Sequence, residues 1–233
     1  MIALPAAAAA LLAGPDALLQ LNGAAATGSS AVKLFLMLTA LSFATAVLVS
    51  LTSFTRIVIV LSFVRQGLGT PQLPPNQVLL GLALALTGFV MAPTANKVWD
   101  DALGPYLDDK LPQDQAIALA SAPVRTFLLR QTRSDDLKLF YEASGRPRPE
   151  RDQEVPLTVA APAFMISELT TAFRMGLFVY VPLLVIDLLV ATVLMSLGMM
   201  MVPPTLVALP LKLGVFLLAD GWHLLASSLL RSF

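Results

Sequence analysis

Three charged side chains, Asp187, Lys212 and Asp220, lie inside otherwise apolar stretches of the sequence. A charge in such a stretch costs about 2.5–3.5 kcal/mol on an insertion scale, so it needs a partner or a purpose. The residue types fit two chemistries: a buried ion pair between facing helices, or a proton relay of the kind an ion transporter uses. Glu168 and Arg174 share an apolar stretch with Asp187, and we expect all five charges to be buried.

A cluster of methionines stands before a pair of prolines. Four methionines fall within seven residues, and the chain then turns: Met195, Met199, Met200, Met201, Pro203 and Pro204. Methionine is unbranched and adaptable, and proline ends a helix, so the pattern predicts soft side chains on a loop between two helices. These methionines could fill a gap at a helix end, or they could close around another molecule and repack when that molecule changes.

No constellation typical of an enzyme accompanies these residues. The chain has no cysteine, one histidine (His223) and a net charge of zero. Cysteine–histidine metal sites, thiol chemistry and a basic nucleic-acid surface are therefore excluded. The sequence contains no phosphate-binding glycine loop, nucleophile elbow or zinc-protease motif. We expect a protein that is not an enzyme, with no catalytic residue, no metal site and no cofactor.

Composition indicates an all-α membrane protein. Hydrophobic residues make up 57% of the 233 and charged residues only 13%. Residues 97–154 hold 20 of the 30 charged side chains, which is typical of apolar helices flanking one water-exposed segment. We expect an Ala-rich leader and possible signal peptide at 1–30, a first helical hairpin at 31–93, a small helical extracytoplasmic segment at 94–156, and a second hairpin with the methionine loop at 157–233.

Prolines, helix-capping residues and the spacing of apolar residues predict the helices that position these side chains. The apolar pattern predicts one helix of about 30 residues from Lys33 to Arg65, with Arg56 and Arg65 near a cytoplasmic tip. A second helix should run from 75–76 to 91–93. In the charged segment, Pro123 should start one helix and Ser134 should cap the next. The last two helices should cover 156–197 and 206–230, the first of them running past Pro182.

Several long motifs resemble those of one family. They are Ser53-Phe54-Thr55-Arg56-Ile57, Leu68-Gly69-Thr70-Pro71-Gln72, Pro74-Pro75-Asn76-Gln77-Val78-Leu79, Phe127-Leu128-Leu129-Arg130-Gln131-Thr132-Arg133, Ser167-Glu168-Leu169, Met195 to Pro204, and Asp220-Gly221-Trp222. Their order resembles the FliP family of type III secretion export-gate proteins, from about residue 33 to residue 233. The Leu-Gly-Thr-Pro-Gln string and the Pro-Pro-Asn string resemble the flagellar branch more than the virulence branch.

The resemblance implies a function and a set of partners. It implies a subunit of the flagellar protein export gate in the bacterial inner membrane and basal body, forming a homo-oligomeric ring, of five copies, through which unfolded flagellar proteins pass. FliQ-like and FliR-like gate subunits and FlhB/FlhA-like export proteins would be its partners. The methionines would form the pore gasket. Apart from the resemblance, the apolar faces of the charged segment lead us to expect that it contacts other subunits through Phe127, Leu128, Phe140 and Tyr141. A virulence secretion gate, a proton transporter and a non-conducting scaffold are the alternatives.

Overall fold

The structure, a computed structural model, describes residues 28–70, 73–145, 147, 149, 151, 154–199 and 201–233. Most of the expected leader and Met200 therefore lie outside the described residues. The chain divides into two units, residues 1–46 and 47–233. The first includes most of helix α1 (Gly28–Ser50). The remaining helices belong to the second unit, and no strand occurs among the described residues, so the all-α prediction is confirmed.

In the sequence of the second unit, apolar helices precede and follow a group of more polar ones. In chain order they are α2 (Phe54–Leu68), α3 (Asn76–Val98), α4 (Gly104–Leu107), α5 (Gln113–Gln131), α6 (Ser134–Ser144), α7 (Leu157–Ser196), α8 (Pro204–Leu218) and α9 (Gly221–Arg231). A π-helical turn, Trp99–Leu103, joins α3 to α4. Helices α4 to α6 make up most of the charged segment, and the long apolar helices lie on either side of it in sequence.

Two described helical stretches are long and apolar enough to cross a membrane, namely Asn76–Leu107 and Leu157–Ser196, and the bent pair α8–α9 could be a third. The 40 residues of α7 would extend about 60 Å, twice the roughly 30 Å of a hydrocarbon core. The chain is thus an all-α membrane protein, as predicted. Part of α7 must lie beyond the lipid tails.

Helices α2 and α7 pack side by side and run in the same direction. Arg56 contacts Glu168, Phe63 stacks edge-on against Phe173 at 5.3 Å between ring centroids, and Gly67 adjoins Leu183, so contacts advance together along both helices. From Leu183, α7 continues to Ser196, about 20 Å further. The turn after α2 and the loop after α7 therefore lie at the same end, and the loop projects well beyond the turn.

Three clusters of apolar side chains hold these helices. The largest joins α2 and α7 to α3, α8 and α9, and includes Ile57, Leu61 and Leu229. A second anchors the charged segment on the start of α7, around Leu128 and Phe164. The third, Val190, Leu194 and Ala208, with Val202 packed against it, holds α7 and α8 together below the methionine loop.

The single helix expected from Lys33 to Arg65 is wrong, because the chain leaves the helix at residues 51–53. Hydroxyl side chains occupy this break. The Thr52 hydroxyl accepts a hydrogen bond from the Phe54 amide at 3.3 Å, and the Thr55 hydroxyl donates to the Val49 carbonyl at 2.6 Å. Ser and Thr offer the backbone alternatives to helical hydrogen bonds, and here they outweigh the apolar periodicity.

Three predicted proline or cap positions in the middle of the chain also differ from the structure. Helix α3 does not end at Pro93 but continues to Val98, and α5 begins at Gln113, so Pro123 lies inside it. An internal proline removes one amide donor and bends a helix, but packing against neighbours can tolerate that loss. Ser134 is the first residue of α6 and its side chain caps nothing; Asp135 and Asp136 occupy the first turn, as expected.

The last predicted helix, 206–230, is two helices that meet at an angle of 62°. The break falls at Ala219–Asp220, where Asp220 adopts a left-handed conformation with φ +49°. Aspartate tolerates this conformation better than most residues, so the polar residue in an apolar run marks the bend. Asp220 thus lies in the two-residue break between the end of α8 and the start of α9.

Candidate functional site

A fully enclosed ion pair joins the starts of the two parallel helices. The Arg56 guanidinium, on α2, donates from Nε to Glu168 Oε2 of α7 at 2.8 Å and from Nη2 to Glu168 Oε1. The two side chains are 2% and 0% exposed. Two parallel hydrogen bonds from an arginine to a carboxylate form the strongest ion-pair geometry that side chains offer. Arg56 therefore lies in the protein interior, and the predicted position near a hairpin tip is wrong.

The same guanidinium also binds the segment that follows α9. Nη1 donates to the Ser232 carbonyl at 2.7 Å, and the guanidinium carbon lies 4.0 Å from the centroid of the Phe233 ring. Gln131, at the end of α5, accepts from Nη2 at 3.2 Å and donates to the Phe233 carbonyl at 2.8 Å. One arginine thus joins α2, α5, α7 and the residues after α9. A lone charge in an apolar helix indicates that a partner exists elsewhere, and Arg56 and Glu168 both give this signal, although it does not say which charges pair.

A second polar cluster lies beside the first, where the charged segment meets α7. Arg133 donates two hydrogen bonds to Asp136, at 2.7 and 2.9 Å, and the Ser167 hydroxyl donates to the same carboxylate at 2.5 Å. Hydrogen bonding from Arg133, helped by Ser167 and opposed by burial, holds the pKa of Asp136 below its ordinary value. The Arg133 side chain also donates to the Thr170 hydroxyl at 3.2 Å. These bonds fix the charged segment on α7.

The third polar cluster contains the predicted pair of Asp187 and Lys212. Lys212 Nζ, on α8, lies 2.5 Å from Asp187 Oδ2 of α7 and donates to the Gly67 carbonyl at 2.8 Å. That carbonyl is one of the last four of α2, which have no partner within the helix. The lysine side chain is 5% exposed and the aspartate side chain 35% exposed. The predicted ion pair between facing helices is therefore present, and it also caps the end of α2.

Two of the charges expected to be buried are exposed in the chain. The Asp220 side chain is 77% exposed at the α8–α9 bend, and its Oδ2 lies 3.9 Å from His223 Nδ1, so it takes no part in the Lys212 pair. Arg174 is also exposed, on the outer face of α7. Both residues fall where a helix surface faces away from the core. The three charges proposed for a relay are therefore not continuous within the chain, and the transporter alternative is not favoured.

The methionine loop has an anchored base and exposed side chains. Helix α7 ends with Gly198 at φ +73°, the Gly198 amide bonds the Met195 carbonyl, and the Met199 amide bonds the Leu194 carbonyl, which together form a Schellman motif. Met195, Met199 and Met201 are 61%, 45% and 96% exposed. Pro203 and Pro204 then cap and begin α8. The three described methionines fill no gap between helices of this chain.

The residues expected to contact other subunits divide into two groups. Leu128 and Tyr141 are 0% and 4% exposed and form part of the cluster between the charged segment and α7, so they are not available to another subunit. Each lies on the apolar face that its own helix, α5 for Leu128 and α6 for Tyr141, packs against the start of α7. Phe127 and Phe140 are only partly buried against the cluster. No group of acidic, histidine or cysteine side chains that could hold a metal ion occurs among the described residues.

The sequence was compared with known proteins and families. A model of the FliP family matches residues 37–229. The flagellar biosynthetic protein FliP of Bacillus subtilis is 51% identical over 205 residues, covering 88% of this chain and 93% of that protein. Its counterpart in Pectobacterium carotovorum is 53% identical over 202 residues, covering 87% of this chain and 78% of the relative. That of Caulobacter vibrioides is 50% identical over 202 residues, covering 87% and 76%.

The chain belongs to the FliP family. It is therefore a membrane-embedded component of the flagellar export apparatus, with a role in flagellum biogenesis and protein export, and not an enzyme. In this FliP-family chain, three polar clusters fix the helices to one another, whereas the methionines and two charges point outwards. The outward-facing residues are those still available to other components of the export gate.

Proposed function

We propose that copies of this chain, five to a ring, form the pore through which unfolded flagellar proteins leave the cytoplasm. The ring would be completed by FliQ-like and FliR-like subunits and would receive its substrates from FlhB/FlhA-like proteins. Each copy contributes its methionine loop, Met195 to Pro204, to a constriction. The ring and its partners rest on the resemblance to export-gate proteins, and the constriction rests on the geometry of the loop.

The observation that carries the constriction is the contrast between the base and the tip of the loop. The base is fixed by Val190, Leu194 and Ala208, which are at most 8% exposed. The tip presents Met201 at 96% exposure, beyond the Asp187–Lys212 pair that marks the end of α2. An apolar side chain exposed on a rigid base is unfavourable in an isolated chain. It becomes favourable when several copies meet at their tips and exclude water.

Methionine suits a constriction that must close and yield. Its thioether side chain is apolar enough to exclude ions from a narrow pore, and its three rotatable bonds let it repack around a polypeptide of any sequence. Pro203 and Pro204 keep the loop from joining α7 and α8 into one helix. The seal would thus re-form after each segment of substrate passes.

The proposal also sets the direction of the chain in the bacterial inner membrane. The charged segment lies at the end where α7 begins, and both hairpin turns lie at the other end. We place the charged segment on the extracytoplasmic side, so the methionine loop faces the cytoplasm. A cysteine at Ser144, which is exposed, should react with an impermeant thiol reagent when only the outer membrane is permeabilised. Reaction only after inner-membrane lysis would reverse this orientation.

The seal is tested by replacing Met199, Met200 and Met201 with alanine in the co-expressed gate complex. We expect rings to assemble at a yield close to that of the wild type, while membranes containing them conduct small ions. Replacement by leucine should keep the seal and slow export, because leucine is branched and repacks less freely. Conductance and export rate are measured beside the copy number, which native mass spectrometry gives.

A matched control is Met165→Ala, which shortens a methionine that is 37% exposed elsewhere on α7. It should leave conductance unchanged. A triple alanine variant that assembles and remains tight would exclude the gasket. A variant that fails to assemble would show that the methionines hold subunits together instead of sealing a pore.

A further inference from the structure

Arg174 lies on an apolar surface, and among the described residues it is a cation without a partner. It forms no hydrogen bond or ion pair with any residue that the structure describes, and its charge reaches Asp136 only at longer range. It lines an open apolar depression with Leu177, Phe178, Val181 and Pro182 on α7. An arginine on a membrane-spanning helix is costly unless an anion faces it. The surface around Arg174 is therefore incomplete in the isolated chain.

Asp220 is an exposed anion at the α8–α9 bend, whereas Arg174 is an exposed cation. Its side chain is 77% exposed, and its sole ionic neighbour among the described residues is His223, at 3.9 Å. Large apolar side chains precede it, since Leu217 and Leu218 are 69% and 91% exposed. A carboxylate among exposed apolar side chains needs a cation for the same reason that Arg174 needs an anion.

The two charges lie at the same level of the molecule. A cavity of about 360 Å³ is lined by Met175, Phe178 and Val179 of α7 and, on the other side, by Gly221 and Leu224 of α9. Arg174 directly precedes Met175, and Asp220 directly precedes Gly221. The Phe178 ring, 82% exposed, lines both this cavity and the depression beside Arg174. Arg174 and Asp220 thus flank one apolar ridge from opposite sides.

We propose that Arg174 of one copy pairs with Asp220 of the next copy around the ring. The proposal rests on the ring described above and names the contact that closes it. Two different surface patches that complement each other form a head-to-tail contact, and head-to-tail contacts generate rings when the rotation closes. Phe178 would be covered by the neighbouring copy in the same contact. Among the described residues, Arg174 has no ion-pair partner and Asp220 has only His223, at 3.9 Å. Opposite charges at the same level, neither of them paired with a permanent charge, favour a second copy as the occupant of this surface.

Charge reversal tests the pair directly. Arg174→Glu and Asp220→Lys should each lower the yield of closed rings at least about tenfold, because each places like charges against each other in the contact. The double variant carrying both changes restores opposite charges and should recover most of that loss. Ring yield and copy number are measured by native mass spectrometry of the co-expressed complex.

The chain offers matched controls for both positions. Asp109 is another exposed aspartate in a left-handed conformation, with φ +57°, so Asp109→Lys tests the effect of a lysine in that conformation. Arg231→Glu reverses another exposed arginine. Both should assemble as the wild type does. Arg174→Gln and Asp220→Asn, which keep polarity without charge, should fall between the wild type and the reversals.

Cross-linking gives a readout that does not depend on yield. The chain has no cysteine, so Arg174→Cys copies and Asp220→Cys copies can be mixed and treated with a short bis-maleimide. A covalent dimer should form in the mixture and not with either variant alone. If wild-type rings form but no dimer appears and the reversals assemble normally, the proposed Arg174–Asp220 contact is wrong, whereas the proposed ring is unaffected. If the wild-type chain forms no ring, both proposals fail.

Discussion

The two ends of α2 are held by cations of different kinds. At its start, the planar guanidinium of Arg56 reaches a carboxylate, a side-chain amide and a main-chain carbonyl, all inside the protein. At its end, the single ammonium of Lys212 reaches one carboxylate and one carbonyl, and the carboxylate of Asp187 remains partly in solvent. Arginine presents five donors in a fixed fork, so it can join four segments where lysine joins three. The Arg56–Glu168 pair, the closed pair, is enclosed by protein, whereas the Asp187–Lys212 pair, the open pair, keeps its carboxylate partly in solvent.

The positions of the two attachments also explain the bend between α8 and α9. Eleven residues separate Arg56 from Gly67, a rise of about 17 Å, whereas twenty separate Lys212 from Ser232, about 30 Å as straight helix. Both ends of the longer stretch are attached to the shorter one, so the longer stretch must bow outwards. It does so at Asp220, and the cavity lined by Met175 of α7, Phe216 of α8 and Gly221 of α9 lies beside the bend. The bend is thus a consequence of the two attachments.

The largest effect is expected from breaking the closed pair. Arg56→Met leaves Glu168 buried and unpaired, which costs about 3–5 kcal/mol of folding free energy. Little folded protein should be recovered, and what remains should unfold at a much lower temperature in detergent. Arg56→Lys keeps the charge but loses the fork, so it should recover only part of the loss.

Arg65→Met is the matched control, because Arg65 lies on the same helix, outside the enclosed cluster. Its unfolding temperature should stay close to that of the wild type. If Arg56→Met unfolds like Arg65→Met, the enclosed pair does not hold the start of α2. That result would contradict the claim that the pair at the start of α2 contributes more to stability than the pair at its end.

Breaking the open pair should have a smaller effect. Lys212→Ala removes the cap of α2 but leaves Asp187 able to turn towards solvent, so we expect a loss of about 1–3 kcal/mol, measured by denaturant unfolding. The double variant Asp187→Asn with Lys212→Met removes both charges and should recover part of the loss. A double variant that assembles normally yet abolishes export would support a proton-relay role instead.

The sequence predicted the elements better than their attachments. Long apolar runs and the Pro-Pro pair predict α7 and the methionine loop because helix length and proline act locally. The break at residues 51–53 depends on which hydroxyl groups compete with the helix, and the bend at Asp220 depends on two distant attachments. An amphipathic face does not reveal whether its own chain or another covers it, so the sequence predicts subunit contacts for Leu128 and Tyr141, which their own chain covers. Likewise, the partner of Arg56 is 112 residues away and no local pattern identifies it.

The smallest effect concerns pH and the cluster beside the closed pair. The pKa of Asp136 lies below its ordinary 3.8, chiefly because Arg133 hydrogen-bonds the carboxylate. A depressed carboxyl pKa stabilises the folded state above the ordinary value, and this contribution is lost as the pH falls through the folded-state pKa. Asp136→Asn should therefore cost about 1 kcal/mol at pH 7, and the difference from the wild type should shrink as the solution is acidified below about pH 4.

Asp135→Asn, next to it and exposed, should keep the pH profile of the wild type. Denaturant unfolding of the three proteins at several pH values makes the comparison. An Asp136→Asn profile that stays parallel to the wild type down to pH 2 would mean that this ion pair contributes nothing to holding the charged segment on α7.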